Sequence, residues 1–520
     1  MSDSLPRLRI RATPQSEAES LGPGEVASGL SELMPATLAI SGHHWRLEID
    51  DEPIESTYDR DELCWSWKPG FFAGEVRVRL LDTRSERAHV FRLDVSPSSE
   101  KLGREIFAEL LTELRREQPE FVLGAEPALA PMGRLGRHDD PLLAYAKLRA
   151  HAEPLLDALA RLLAAPMRRL RRERCMLPLE KIRRADRRTV MQFVREPTLA
   201  ARLLGTEMAT PPGRGPRLDA PIVEPHVDEP ANRCVKALVV ALIRRVIDCR
   251  EQLTDRVRKE KQSDTRTGLE QRWPARKAFL DRLEHALRLA LRGPVLTQVS
   301  RAELSAAGLT AIAAHPLYAR AHRLGWWALG RGFEDGDQAQ DLWLPPTFDL
   351  YERWCFVASR KLLREIGARE TPNPSIKCEL AWSGELADKT QIWLGFQVCC
   401  PSGSAKQGNA GFRSITRKRF PDFVLTITRG TERRWFVLDA KYRAGRSGVL
   451  DGMESAHVYH DSLRWHGRRA DAAVIIIPAH CDAIAWMTAE GFRAEHGVGP
   501  IVARPGALMD LEAAFRAFLA

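Results

Sequence analysis

Three charged side chains interrupt a stretch of sequence that is otherwise built for burial. Residues 417–445 read RKRFPDFVLTITRGTERRWFVLDAKYRAG, two apolar runs on either side of the polar, glycine-containing Arg429-Gly430-Thr431-Glu432. Such a pattern predicts a β-hairpin. Side chains alternate faces along a strand, so Phe423, Leu425 and Ile427 share one face and Asp422 lies on the other with Val424 and Thr426. On the second run Phe436, Leu438 and Ala440 share a face, and Asp439 and Lys441 project together from the opposite one. Pairing the apolar faces brings Asp422, Asp439 and Lys441 to one edge. Buried charges at that density require mutual compensation or a bound cation.

Phosphodiester cleavage is the chemistry such a trio suits. Asp422 and Asp439 can hold Mg²⁺, a hard cation that prefers oxygen ligands and keeps several waters, with Mn²⁺ as a substitute and the Ala440 carbonyl as a further ligand. Lys441 can orient the attacking water and offset charge on the transition state. Upstream, FDLYERWCFVASRKLLREIG places Glu352 early in a helix with Phe356, Ser359 and Leu363 on nearly the same face, which makes it the fourth catalytic candidate. A first-turn glutamate that favours the helix dipole is the alternative. Downstream, Glu454, His457 and Asp461 fall on one helix face with Tyr459 adjacent. That face suits contact with DNA or the metal, or simply solvent.

The spacing Pro421-Asp422, sixteen residues, Asp439-Ala440-Lys441 resembles the PD-(D/E)xK nuclease superfamily. Three further segments are similar to its McrC-like branch: DEPANRCVKALVVALIRR at 228–245, YERWC at 351–355 and His-x-Tyr-x-Asp at 457–461. Ala231, Cys234, Ala456 and His460 depart from that branch, and none of them belongs to the trio. The resemblance covers roughly 220–480 and, more loosely, 36–205. It implies a bacterial restriction-like, anti-phage defence nuclease licensed by a McrB-like AAA+ NTPase. The chain has no GxxxxGK[ST] phosphate loop, so nucleotide hydrolysis is expected from that partner. A repair or recombination nuclease of the same fold and a non-catalytic, DNA-binding activator of an NTPase are the competing readings.

The elements that must position these residues follow from the surrounding patterns. A chain of 520 residues is too long for one core. Residues 1–30, rich in Ser, Glu, Gly and Pro, are expected as a disordered tail. Short alternating runs such as TLAISG, WRLEID, GEVRVRLLD and HVFRLDV predict a β-rich domain over 31–125. A helical domain is expected over 126–340, with helices at 141–165, 178–204, 230–260, 271–292 and 301–330 and a Pro/Gly-rich linker at 210–221. Alternating strands and a closing helix predict an α/β, restriction-endonuclease-like domain over 341–520.

Charge is unevenly placed. Residues 161–195 hold twelve Arg or Lys against three acids, a balance of +9 that equals the net charge of the whole chain. Arg168, Arg169, Arg171, Arg172, Arg183, Arg184, Arg187 and Arg188 are therefore candidate DNA contacts, with a solvated helix face as the alternative. Nine scattered cysteines form no CxxC pair, which argues against a zinc ribbon or disulfide framework. No run of about 18 apolar residues occurs and the first residues lack a secretory pattern, so a cytoplasmic protein with no membrane partner is expected.

Overall fold

The computed structural model describes residues 5–13, 15–50, 52–59, 61–85, 87–122, 124, 128–132, 140–196, 217–261, 269–330, 340–403, 409–488 and 490–520. The chain divides into two compact units. One comprises Met1–His138, Val257–Ala275 and Gly332–Ala520, and the other Asp139–Arg256 and Arg276–Arg331. The β-rich and nuclease-like segments, expected as separate domains, therefore belong to one unit.

The N-terminal part of the first unit is β-rich. Strands Glu19–Leu21, Leu8–Arg11, Ala36–Ser41, Glu62–Trp67 and Ser56–Asp59 form one sheet in that order. A second sheet runs through Gln340–Trp343, Ala128–Met132, Gly74–Asp82, Ala88–Ser96 and Val26–Ser31. Inward residues of both sheets, among them Leu8, Leu38, Trp65, Val78, Leu80 and Phe91, share one buried core. The expected disordered tail is thus corrected, because Leu8–Arg11, Glu19–Leu21 and Val26–Ser31 are strands. Leu8 and Ile10 alternate with exposed arginines and are buried by strand partners, which local composition does not reveal.

The second unit is mostly helical, with Pro141–Ala164, Pro230–Lys261, Leu269–Arg292 and Pro316–Leu329 as its long helices. Pro316, which cannot continue a helix from within, separates Ala306–Ala313 from Pro316–Leu329 where one helix is expected. The expected helix over 178–204 is also corrected. Arg169–Pro178 is a strand, followed by a short helix at Arg187–Arg195, while 197–204 lies outside the described residues. That strand pairs with Arg217–His226, a partner some forty residues on that a local periodicity cannot see. The proposed linker at 210–221 lies outside the described residues up to 216 and in this strand beyond it. Likewise Ala128–Met132 and Gln340–Trp343, at the limits of the expected helical domain, pair with each other and extend the N-terminal sheet.

A seven-stranded mixed sheet organises the C-terminal part. Its order is Arg369–Thr371, Leu380–Glu385, Gln391–Phe396, Phe423–Arg429, Glu432–Ala440, Ala472–Ile477 and Val498–Val502. The first five strands pair antiparallel and the last two join in parallel. Helices Thr347–Glu365 and Met509–Leu519 pack on the Phe423 and Phe436 face, where Phe356 stacks on Phe423 and Phe518 on Phe436. Helix Gly445–Ser462 covers Ile475 and Ile477 with Val449, Met453 and Ala456. Both faces being buried, the central strands read as continuous apolar runs. Among the described residues no helix is long and apolar enough to cross a membrane.

Candidate active site

The site is built on the expected hairpin. Phe423 pairs with Leu438 and Arg429 with Glu432, leaving Gly430-Thr431 as a two-residue turn. Gly430 takes a positive φ of 59°, as the first central residue of a type II′ turn requires. This register carries Asp422 alongside Asp439, one step beyond the Phe423–Leu438 pair. Asp422 is locked in place: Ala440 N–H donates to its Oδ2 at 2.9 Å and Gln397 Nε2 to its Oδ1 at 3.0 Å.

Asp439 is held differently. It is 1 % exposed and neither of its oxygens accepts a hydrogen bond. Its countercharge is Lys441, whose ammonium lies 2.5 Å from Oδ2. Lys441 stands two residues further along the same side of the strand, and its own N–H donates to the Ile476 carbonyl of the parallel neighbour at 2.7 Å.

Helix Thr347–Glu365 delivers Glu352 to the same place. Buried side chains on several sides of this helix anchor it: Tyr351 OH donates to the Ala503 carbonyl at 2.8 Å and Trp354 Nε1 to Glu113 at 2.6 Å. Glu352 is left to line a cavity of about 440 Å³ together with Ala440, Lys441, Tyr442 and Phe348. The four sequence candidates Asp422, Asp439, Lys441 and Glu352 thus converge.

Their electrostatics are those of an anionic cluster with too little positive charge. Burial, then Glu352 and Asp439, hold the Asp422 carboxyl well above the usual carboxylate range. Burial and then Asp349 push Glu352 up to about 8. Burial acts to lower the Lys441 ammonium, but Asp439, Asp422 and Glu352 outweigh it and leave its pKa raised. Two carboxyls that resist ionisation beside a third that shares one lysine form a site that a cation would stabilise. The donor set, two carboxylates with a strand-end carbonyl, fits a hard divalent ion. Among the described residues no three His, Cys, Asp or Glu side chains make a complete cage, so water or substrate oxygens would supply the remaining ligands, as Mg²⁺ prefers.

The tentative residues separate. Tyr459 is half-buried against the Trp435–Val437 cluster beneath Asp439. Its hydroxyl pKa is raised, first by burial and then by Asp439 and Asp422. His457 is exposed, as are Glu454 and Asp461, so this trio is a solvated helix face. All eight candidate arginines are exposed along Arg169–Pro178 and the short helix that follows. Three of them form ion pairs: Arg171 with Glu173, Arg172 with Asp186, and Arg188 with Asp219.

The polar residues of 228–245 do structural work. Asp228 binds Arg233 through two contacts of 2.8 Å. Asn232, fully buried, donates to the carbonyls of Met167 and Val227 and accepts from Tyr318 OH at 2.5 Å. Gln397 escapes a sequence reading. It follows the strand Gln391–Phe396, takes a left-handed φ of 52° and grips Asp422 through both its N–H and its amide. A polar residue just past an apolar strand was its only signal.

Comparison with known proteins agrees with this geometry in the C-terminal part. Residues 349–482 match the model described as PD-(D/E)XK nuclease superfamily, and residues 69–314 match a domain of unknown function, DUF2357. No curated protein matches the chain. Among solved structures, a refined half-complex of a tetradecameric assembly of Thermococcus gammatolerans McrB AAA+ hexamers with bound McrC is 14 % identical, with 89 % of this chain and 84 % of that chain covered and a TM-score of 0.23. The cryo-EM structure of the T. gammatolerans McrBC complex is 13 % identical, with 59 % and 70 % covered and a TM-score of 0.17.

Proposed function

From a C-terminal domain of the PD-(D/E)XK nuclease superfamily, we propose that this chain is a Mg²⁺-dependent DNA endonuclease acting as the effector of a restriction-like defence complex. The observation that carries the reading is Asp439: a buried carboxylate whose countercharge is Lys441 and which lies beside two further carboxyls, Asp422 and Glu352. A structural salt bridge would not gather two further carboxyls around one lysine, because burying unpaired charge destabilises a fold.

Asp422, Asp439 and the Ala440 carbonyl would hold the ion. When bound, Mg²⁺ polarises the scissile phosphate and makes a bound water easier to deprotonate. The chain supplies the rest. The Ala440 N–H and Gln397 fix the Asp422 carboxylate, so its lone pairs are aimed before substrate arrives. Lys441, buried along its stem and open at the cavity, orients the attacking water by hydrogen bonding and offsets negative charge as it builds on the phosphate. Glu352, which lines the same cavity, would receive a proton.

The partner half of the proposal, an AAA+ NTPase that licenses cleavage, comes from the sequence resemblance at 228–245, 351–355 and 457–461. One assay addresses both halves. Supercoiled DNA is incubated with Mg²⁺ and the protein, with and without a McrB-like AAA+ NTPase, and compared with Asp439→Ala and Lys441→Ala. Nicking or linearisation by the parent, lost in both variants, is expected. Equal cleavage by parent and variants would remove the catalytic assignment, and cleavage indifferent to the NTPase would remove the partner.

A further inference from the structure

Glu32 lies 410 residues before Tyr442, just past the end of the β-domain strand Val26–Ser31. Its side chain is fully buried. Buried glutamates are rare unless paired, and this one is supplied with four donors. Oε1 accepts from Tyr442 OH at 3.0 Å, from Ser98 N–H at 3.2 Å and from the Lys101 ammonium at 3.3 Å. Oε2 accepts from Thr347 Oγ1 at 2.8 Å.

Two of those donors belong to the elements that carry the candidate site. Thr347 is the first residue of the helix bearing Glu352, and its N–H also donates to the Phe71 carbonyl of the β domain at 2.8 Å. Tyr442 directly follows Lys441. One carboxylate therefore ties the start of the Glu352 helix to the end of the Lys441 strand. Around it, Lys101 sits 4.3 Å from the Tyr442 ring centre and, with Leu33 and Phe71, forms the far wall of the cavity that Glu352 and Lys441 line. Leu33 takes a φ of 63°, a left-handed conformation costly for a leucine, so the backbone is bent to bring Glu32 to this junction.

We propose that Glu32 is a positioning residue of the nuclease site, so that the N-terminal β domain is a working part of that site. The inference rests on the nuclease reading of the same cavity. Displacement of a catalytic group by about 1 Å can cost on the order of 100-fold in rate, and loss of outer-shell support typically weakens metal binding by about 10- to 100-fold. A carboxylate that fixes two site elements from behind should act at the lower end of both ranges.

The test uses the full-length chain with Tyr442→Phe, which keeps the ring and removes one bond, and Glu32→Gln, which keeps the shape and removes the charge. Two measurements are made: steady-state cleavage of a DNA substrate, and calorimetric titration of Mn²⁺ into the metal-free protein. About a tenfold fall in kcat with KM within twofold is expected for both variants, together with about a tenfold weaker Mn²⁺ affinity. Thr347→Val removes the bond to Oε2 alone and should lower kcat and Mn²⁺ affinity in the same direction. Parental kcat and Mn²⁺ affinity in both variants, with only a lowered unfolding midpoint, would reduce Glu32 to a structural tie and overturn the proposal. A parent that binds Mn²⁺ and cleaves nothing even with the NTPase present would instead sink the nuclease reading, and the Mn²⁺ arm would still decide the role of Glu32.

Discussion

The arginine segment gives a prediction whose size follows from its ion pairs. Five of the eight arginines are exposed and make no ion pair among the described residues, and four of these are Arg168, Arg169, Arg183 and Arg184, whereas Arg171, Arg172 and Arg188 are engaged by Glu173, Asp186 and Asp219. An arginine that neutralises a phosphate releases a counterion and steepens the fall of log K with log salt by about 0.9. Replacing these four arginines by glutamine should therefore flatten that slope by about 3.6. Between 50 and 200 mM salt this amounts to about two orders of magnitude in affinity that the parent loses and the variant does not. Replacing the three paired arginines should flatten it by less per residue, because each must first surrender an internal carboxylate. The assay is fluorescence anisotropy on a labelled duplex without metal, in an Asp439→Ala background so that no cleavage intervenes. A slope unchanged by the four substitutions would mean that this segment does not touch the phosphate backbone. Equal effects from the two sets would mean that the internal ion pairs do not matter.

Further outcomes follow from other parts of the molecule. Tyr318→Phe leaves the Asn232 carbonyl and the Met167 N–H without their partner, so it should cost about 2 kcal/mol in urea unfolding. Its effect should be strongly non-additive with Asn232→Ala, and additive losses would show that the two do not share a network. Gln397→Ala removes the donor on Asp422 Oδ1 and should weaken Mn²⁺ affinity by about tenfold, which calorimetry reads directly; parental affinity would release Gln397 from the site. His151, whose pKa burial and then Lys147 hold below its ordinary value, binds its proton less readily folded than unfolded. Its contribution to stability is complete above about pH 6.5 and is lost as the pH falls toward the depressed folded value. His151→Gln should therefore flatten the decline of the unfolding midpoint below pH 6.5, and an unchanged decline would assign it to other groups.

The candidate trio was legible because strand alternation is a local rule. Asp422, Asp439 and Lys441 lie within one hairpin, closed by a two-residue turn, so their convergence needed no knowledge of the rest of the chain. Glu352 was legible through helix periodicity. Gln397 was not, because its role depends on a left-handed backbone turn that brings its amide to Asp422. Glu32 and Lys101 were further out of reach: nothing in VASGLSELMP distinguishes a glutamate that faces solvent from one that accepts four hydrogen bonds. The strands Leu8–Arg11 and Arg169–Pro178 failed for a related reason, since each becomes a strand only through a partner that composition does not name. In the 228–245 helix the polar residues stood out clearly, but their spacing did not disclose that Asn232 and Arg233 serve the fold.

The first unit is assembled from three separated stretches of chain, and this sets an order on its biogenesis. Strand Ala128–Met132 finds its neighbour Gln340–Trp343 only after some 200 further residues have been made. At about 5–20 residues per second that is a delay on the order of ten to forty seconds. Glu32 waits longer still, because Tyr442 lies 410 residues further along the chain. A nascent chain stopped before Tyr442 therefore carries neither a tied Glu32 nor a finished cavity. By the time that residue is added, every stretch of the second unit has already been made.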